Sequence, residues 1–212
     1  KVLRAMKKLG YSPNRAAQAL RRGSFKTIGV LTQQIQRTGE ALTTAGVLEA
    51  ATAVGYAVNL VQVEHPASEK LREAVYRLSH QAIDGLVVVQ AGRAGREQLA
   101  LPPSMPVAVS DSTLVDYYPS ASADQVGGVR EAVTHLLELG HRTVHHVCGP
   151  EDSQSALIRK ATWARTLREA GRDVPEAVAG DWEAAAGYEA GLRLTADPEV
   201  TAVFCANDEL AL

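Results

Sequence analysis

The chain has 212 residues, 46% of them hydrophobic and 22% charged, which is enough to bury a core as one large domain or two small ones. No apolar run approaches the roughly 18 residues that a membrane-crossing helix needs, and the first 26 residues are basic and amphipathic, unlike a secretory leader. A net charge of −2 hides an asymmetry. Residues 1–26 hold Lys1, Arg4, Lys7, Lys8, Arg15, Arg21, Arg22 and Lys26 with no acid, leaving 14 of the 22 basic side chains and all 24 acidic ones to the rest.

A basic arm on an acidic body suits an arm that meets a polyanion, although a solvated terminal helix has the same composition. Within that arm Val2, Leu3, Met6 and Leu9 repeat at helical spacing and stop at Gly10. Tyr11-Ser12-Pro13-Asn14 reads as a turn, with Asn14 capping a short helix through Arg15 to Arg22 and Gly23-Ser24 closing it. The chain opens inside a helical pattern and closes at Leu212 just as another helix starts, so a longer polypeptide is expected.

From Thr27 onward, apolar runs alternate with amphipathic segments. The expected strands are Thr27 to Leu31, Tyr56 to Val63, Gly85 to Val89, Pro106 to Val109, Thr143 to Cys148 and Thr201 to Ala206. Several are Val-rich without alternation, as in strands buried on both faces. Helical patterns lie between them, such as Val129, Val133, Leu136 and Leu137 before Gly140, and Leu157, Ala161, Ala164 and Leu167 before Gly171. This order predicts an α/β fold with parallel sheets covered on both sides.

In such sheets ligands bind beyond the carboxyl ends of the strands. Those ends are Gln33 to Glu40, Gln90 to Gly92, Ser110-Asp111, Gly149 to Ser155 and Asn207-Asp208, with Gly180-Asp181-Trp182 after a weaker strand-like stretch. A crevice there offers Asp111, Ser155, Asn207 and Asp208 as hydrogen-bonding groups and Trp182 as an aromatic wall, the alternative for Trp182 being a packed core side chain. Trp163 falls on a helical apolar stripe and reads as core.

Other chemistry finds little support. His145 and His146 are consecutive on a strand and point to opposite faces. Neither they nor His135 and His141 have a carboxylate or Cys at ligand spacing, so no metal is expected. Cys148 and Cys205 lie in apolar runs, which suits a reducing compartment. Gly92 and Gly95 follow a strand without a GxGxxG or a Walker lysine. Ser153 and Ser155 lack a nucleophile elbow. Neither a catalytic site nor a cofactor is expected.

Several segments together resemble the LacI/GalR family of transcription regulators. Tyr11 to Leu20 followed by Thr27-Ile28-Gly29-Val30 is similar to its hinge and first core strand. Leu137-Glu138-Leu139-Gly140-His141-Arg142 and Gly149-Pro150 match its mid-core signature, and Ala202-Val203-Phe204-Cys205-Ala206-Asn207-Asp208 a later strand. Ser155-Ala156-Leu157-Ile158-Arg159, Trp163 and Gly180-Asp181-Trp182 resemble sugar-binding segments of the family. The matches are in order and cover essentially the whole chain.

The resemblance implies two Rossmann-like subdomains of the type I periplasmic-binding-protein fold. It divides the chain into a helix-turn-helix remnant at 1–13, a hinge helix and linker at 14–25, and core subdomains at 26–124 and 125–212, the latter incomplete. It implies an effector-responsive DNA-binding repressor, cytoplasmic and homodimeric, acting on a palindromic operator. Asn14, Arg15, Ala17, Gln18, Leu20 and Arg21 would form the DNA-binding hinge, with Leu20 wedged into a minor-groove step. Asp111, Ser155, Arg159, Trp182, Asn207 and Arg37 would contact a small neutral sugar or glycoside between the subdomains, with a phosphorylated sugar second because Arg37 could enter the pocket from the first loop.

Two departures stand out. Gln36-Arg37-Thr38-Gly39-Glu40 is more polar than the loop many relatives carry there, and Ala186 replaces a Ser common before Gly187-Tyr188. The main alternative is a solute-binding protein of the periplasmic type, which shares the core but does not need the basic arm. A nucleotide-dependent α/β enzyme would need the missing phosphate loop.

Overall fold

The structure, a computed structural model, describes residues 5, 8, 23–63, 69–89, 104–110, 114 and 116–212. The expected hinge residues Asn14, Arg15, Ala17, Gln18, Leu20 and Arg21 lie outside the described residues, and so does Asp111.

The first half runs β1 (Thr27–Thr32), α1 (Thr38–Ala53), β2 (Ala57–Gln62), α2 (Glu69–Ser79), β3 (Gly85–Val89), β4 (Val107–Ser110) and β5 (Ser120–Ala121). These strands form one parallel sheet in the order β2-β1-β3-β4-β5. The second half runs α3 (Gln125–Glu138), β6 (His145–Cys148), α4 (Gln154–Glu169), β7 (Val178–Ala179), α5 (Ala184–Thr195), β8 (Val203–Cys205) and a 3-10 turn, Glu209–Ala211. Its strands form a second parallel sheet in the order β7-β6-β8. The chain therefore passes from one sheet to the other between Ala121 and Gln125, and the α/β class with parallel sheets is as the sequence predicts.

Burial explains the Val-rich runs. The central strands β1 and β3 bury Val30, Leu31, Leu86, Val88 and Val89, while the edge strand β2 leaves Leu60 exposed. Leu78 of α2 and Leu114 close the same core. In the second half Val129 and Val133 of α3 meet Val144, Trp163 and Leu167. Trp163 is buried there, and its indole N–H donates to the Val144 carbonyl at 2.8 Å, which satisfies the one polar atom of a large apolar side chain.

The helices start where side-chain acceptors stand ready. Asp124 Oδ1 accepts the Gly127 N–H at 2.8 Å at the start of α3, and Ser153 Oγ accepts the Ala156 N–H at the start of α4. Each satisfies one of the N–H groups that a helix start leaves without an internal partner. The beginning of α1 departs from the sequence expectation. Thr38 to Glu40, read there as part of a loop, form its first turn, and its N-cap, Arg37, supplies no side-chain cap.

Asp84, just before β3, ties down the segment that leads into β1. Its carboxylate accepts from the Ser24 hydroxyl at 2.6 Å and from the N–H groups of Phe25 and Lys26 at 2.7 and 2.9 Å. Burial works against its ionisation, but these three donors outweigh it and hold the carboxyl below its ordinary value.

Candidate functional site

Three strands end at one place. β1 delivers Gln33 to Glu40, β6 delivers Gly149 to Ser155, and β8 delivers Ala206 to Glu209. Between these ends lies an open cleft of about 450 Å³, lined from the first half by Arg37, Thr38 and Glu40 and from the second by Ser155, Arg159, Trp182 and Asn207 to Glu209. Five of the six side chains expected to contact the effector, Arg37, Ser155, Arg159, Trp182 and Asn207, thus share one cavity, and Asp208, also named at this edge, lines it too.

Trp182 forms the floor. It is 6% exposed and packs with Val147, Ala156, Ala190 and Leu210, so it belongs to the core as well as to the cleft wall. The guanidinium carbons of Arg37 and Arg159 lie 6.0 and 5.7 Å from its ring centroid, at the range of a cation–π contact. Gly149 allows this seat, since a Cβ there would stand 2.5 Å from the indole carbons Cη2 and Cζ2.

Arg159 is held from two sides. Its Nε donates to Gln125 Oε1 at 2.7 Å, and its Nη1 donates to the Ala206 carbonyl. Asn207 is tied too. Its Oδ1 accepts the Leu210 N–H at 3.0 Å, and its Nδ2 donates to Glu209 at 2.8 Å and to the Trp182 carbonyl at 3.3 Å. The amide therefore shapes the β8 turn as well as lining the cleft. Ser155 is buried, with its hydroxyl 3.0 Å from that of Ser153.

Two acidic residues not chosen in the sequence organise the opposite wall. Glu209 Oε1 accepts both the hydroxyl and the N–H of Thr38, at 2.6 and 2.9 Å, bridging the start of α1 to the end of β8. These bonds hold the Glu209 carboxyl below its ordinary value despite some burial. Glu40 is 1% exposed. Its Oε2 accepts from Thr32 Oγ1 at 2.8 Å and from the N–H groups of Gln33 and Gln34 at 3.0 and 2.7 Å. Among the described residues its Oε1 has no hydrogen-bond partner, and neither has Nε of Arg37. Burial draws the Arg37 guanidinium below its usual value, against carboxylates of Glu40, Glu183, Asp152 and Asp181 that favour the charged form. The sequence does hold a signal for Glu40, an acid in the first turn of a helix that follows a strand end, where the helix dipole favours negative charge.

The histidines separate as their strand positions dictate. His146 is fully buried beside Trp163 and Phe204, each ring centroid 5.1 Å away. Its Nδ1 lies 2.8 Å from the Phe204 carbonyl, and a carbonyl can only accept, so Nδ1 carries the proton. Among the described residues no three His, Cys, Asp or Glu side chains gather as a metal would require. Burial raises the Cys205 thiol, leaving it protonated and a poor nucleophile. No helix among the described residues is long and apolar enough to cross a membrane.

Comparison with known proteins agrees with this architecture. A family model described as periplasmic binding proteins and sugar binding domain of LacI family matches residues 26–212. The lactose operon repressor of Escherichia coli (strain K12) is 32% identical over 221 residues, covering all of this chain and 60% of its own length. The crystal structure of the Lac repressor bound to ONPG in the repressed state superposes with a TM-score of 0.86 at 28% identity, over 99% of this chain and 65% of that one. The lac repressor dimer bound to operator and the anti-inducer ONPF superposes with a TM-score of 0.82 at 28% identity, over 95% of this chain and 71% of that one. The chain thus spans about 60% of the length of the lactose operon repressors it matches, which are named as repressors and not as enzymes. The chain belongs to the family of periplasmic binding proteins and LacI-type sugar-binding domains.

Proposed function

We propose that this chain is the effector-sensing core of a DNA-binding transcription regulator, a repressor that takes a small sugar or glycoside between its two halves. The observation that carries the reading is the shared cleft. Arg37, Trp182, Asn207 and the pair Ser155 and Arg159 of α4 come from four separate segments yet line one cavity at the carboxyl ends of the strands, as ligand sites in open α/β sheets do. Fixed polar groups beside an aromatic floor suit a polyol. Asp111, the next residue in sequence after β4, belongs to the proposed set as well. The protein is a non-enzyme.

Effector bound between residues 26–124 and residues 125–212 favours one arrangement of the two subdomains. The hinge, residues 14–25, reads that arrangement on DNA. Two copies acting together on a palindromic operator, in the cytoplasm, complete the proposal. Relatives seen as a dimer on operator DNA support it, and so does the basic segment 1–26. That segment also distinguishes a regulator from a periplasmic solute-binding protein, which has no use for a positively charged arm.

The test is a titration followed by Trp fluorescence, with lactose and o-nitrophenyl galactoside as probes, on wild type and Arg159→Ala. A probe that saturates the wild type should bind the variant about 10-fold or more weakly, since a hydrogen bond to a charged group contributes about 1.5–3 kcal/mol. Equal affinity for the variant would show that the ligand sits elsewhere.

A further inference from the structure

Glu40 does two things with one carboxylate, and only one of them is finished. Its Oε2 fastens β1 to α1 through Thr32, Gln33 and Gln34. Its Oε1 is buried without a hydrogen-bond partner among the described residues, in a residue that lines the cleft. A buried acceptor without a donor is costly, and native structures rarely tolerate it unless a water or ligand supplies one. A ligand hydroxyl is such a donor. A phosphate or carboxylate is not, because an anion facing this oxygen meets repulsion with little water between.

The rest of the wall points the same way. Among the described residues two cationic side chains, Arg37 and Arg159, line the cleft against three carboxylates, Glu40, Asp208 and Glu209. Two N–H groups of Arg159 are taken up by Gln125 and the Ala206 carbonyl, which orients its guanidinium. Arg37 already sits in the field of Glu40 and of three further acids. Among the described residues the lining thus carries one more carboxylate than cation, a balance that works against an anion.

We infer that Glu40 is a specificity-determining residue of this cleft, accepting a hydroxyl of a neutral polyol through Oε1 and rejecting phosphorylated or carboxylated sugars. This rests on the cleft being the effector site, as proposed above. Glu40→Gln is the sharp variant, because the amide is the same size. Its single oxygen stays with Thr32, Gln33 and Gln34, and its NH2 turns to the cleft, replacing an acceptor with a donor.

The experiment titrates the 212-residue chain with lactose, cellobiose, galactose, galactose 6-phosphate and galacturonate, followed by calorimetry. Wild type, Glu40→Gln and Arg159→Ala are compared, with circular dichroism to verify folding. In wild type a neutral probe should bind at least about 10-fold tighter than the anionic ones. In Glu40→Gln the neutral probe should weaken about 10-fold and the preference over anions should shrink to about 3-fold or less. If a probe binds in a manner that Arg159→Ala abolishes, yet anions bind better or Glu40→Gln leaves the preference intact, the role of Glu40 is overturned while the cleft stands. If wild type and Arg159→Ala bind every probe alike, or bind none, the cleft itself is not the effector site and the inference falls with it. The wild-type comparison of neutral and anionic probes decides the matter even if Glu40→Gln does not fold.

Discussion

His146 gives the fold a built-in sensitivity to acid. Burial pushes its imidazole down to about 4 from an ordinary 6.5, helped by the nearby Lys160 and Arg159 charges and opposed by the bond to the Phe204 carbonyl. The native state therefore keeps His146 neutral at pH values where the unfolded chain binds a proton. Stability from this source is complete above pH 6.5, declines as pH falls through the window, and is lost by about pH 4. At about 1.36 kcal/mol for each tenfold change in proton affinity, the loss is about 3 kcal/mol. Urea unfolding at pH 4.5, 5.5, 6.5 and 7.5 measures it, comparing wild type with His146→Asn, whose amide can still donate to the Phe204 carbonyl. The variant should be less stable overall, yet its stability should fall about 2–3 kcal/mol less than that of wild type between pH 7.5 and 4.5. Parallel curves for the two proteins would refute the argument, showing that His146 takes up its proton without unfolding the chain.

Gly149→Ala should lower stability by about 1–3 kcal/mol, because the new methyl overlaps the Trp182 ring and the tightly packed floor must shift; a thermal melt and a changed Trp emission check this. Trp163→Phe should cost about 1–3 kcal/mol in urea unfolding, since the buried Val144 carbonyl loses its donor. Asp84→Ala should speed hydrogen exchange at the Phe25 and Lys26 amides by about 10-fold or more, each having lost a charged acceptor. Because the Asp84 carboxyl titrates below its ordinary value, the same amides in wild type should stay protected at neutral pH and lose that protection as pH falls through the folded-state value.

The sequence reveals most where burial and spacing act together. Gly85 to Val89 appears as a strand because a central parallel strand is apolar on both faces. Gln125–Glu138 and Gln154–Glu169 appear as helices because each has an apolar stripe, a capping side chain and a following glycine. α1 lacks those marks. Its sequence is rich in Thr, Gly and Ala, and among its buried side chains are Glu40 and Thr44, so polarity does not mark its inner face. β5 and β7 are two residues long, too short for any alternation to register. Within the cleft, Trp182 is legible as an aromatic beside a strand end, and Arg159 through the family resemblance of its segment. Glu40 is marked only as an acid in a first helical turn, and its role stays hidden because it depends on three donors brought together at the strand–helix junction. Asn207 is legible as a polar group at the right edge, but its service to the Leu210 N–H becomes visible only once the 3-10 turn has formed.

β1 is gripped at both ends by a carboxylate. Asp84 holds the chain immediately before it, at Ser24 to Lys26, and Glu40 holds its last residue and the two that follow. Between the two grips lie six residues of central parallel strand, about 20 Å of backbone at roughly 3.3 Å per residue. Such a strand, hydrogen-bonded on both flanks, does not stretch or buckle easily. It behaves as a mechanical strut with a pinned joint at either end. A push at the mouth of the cleft therefore arrives at Lys26 with little lost along the way, and the stiffness of the whole path is set by the two joints.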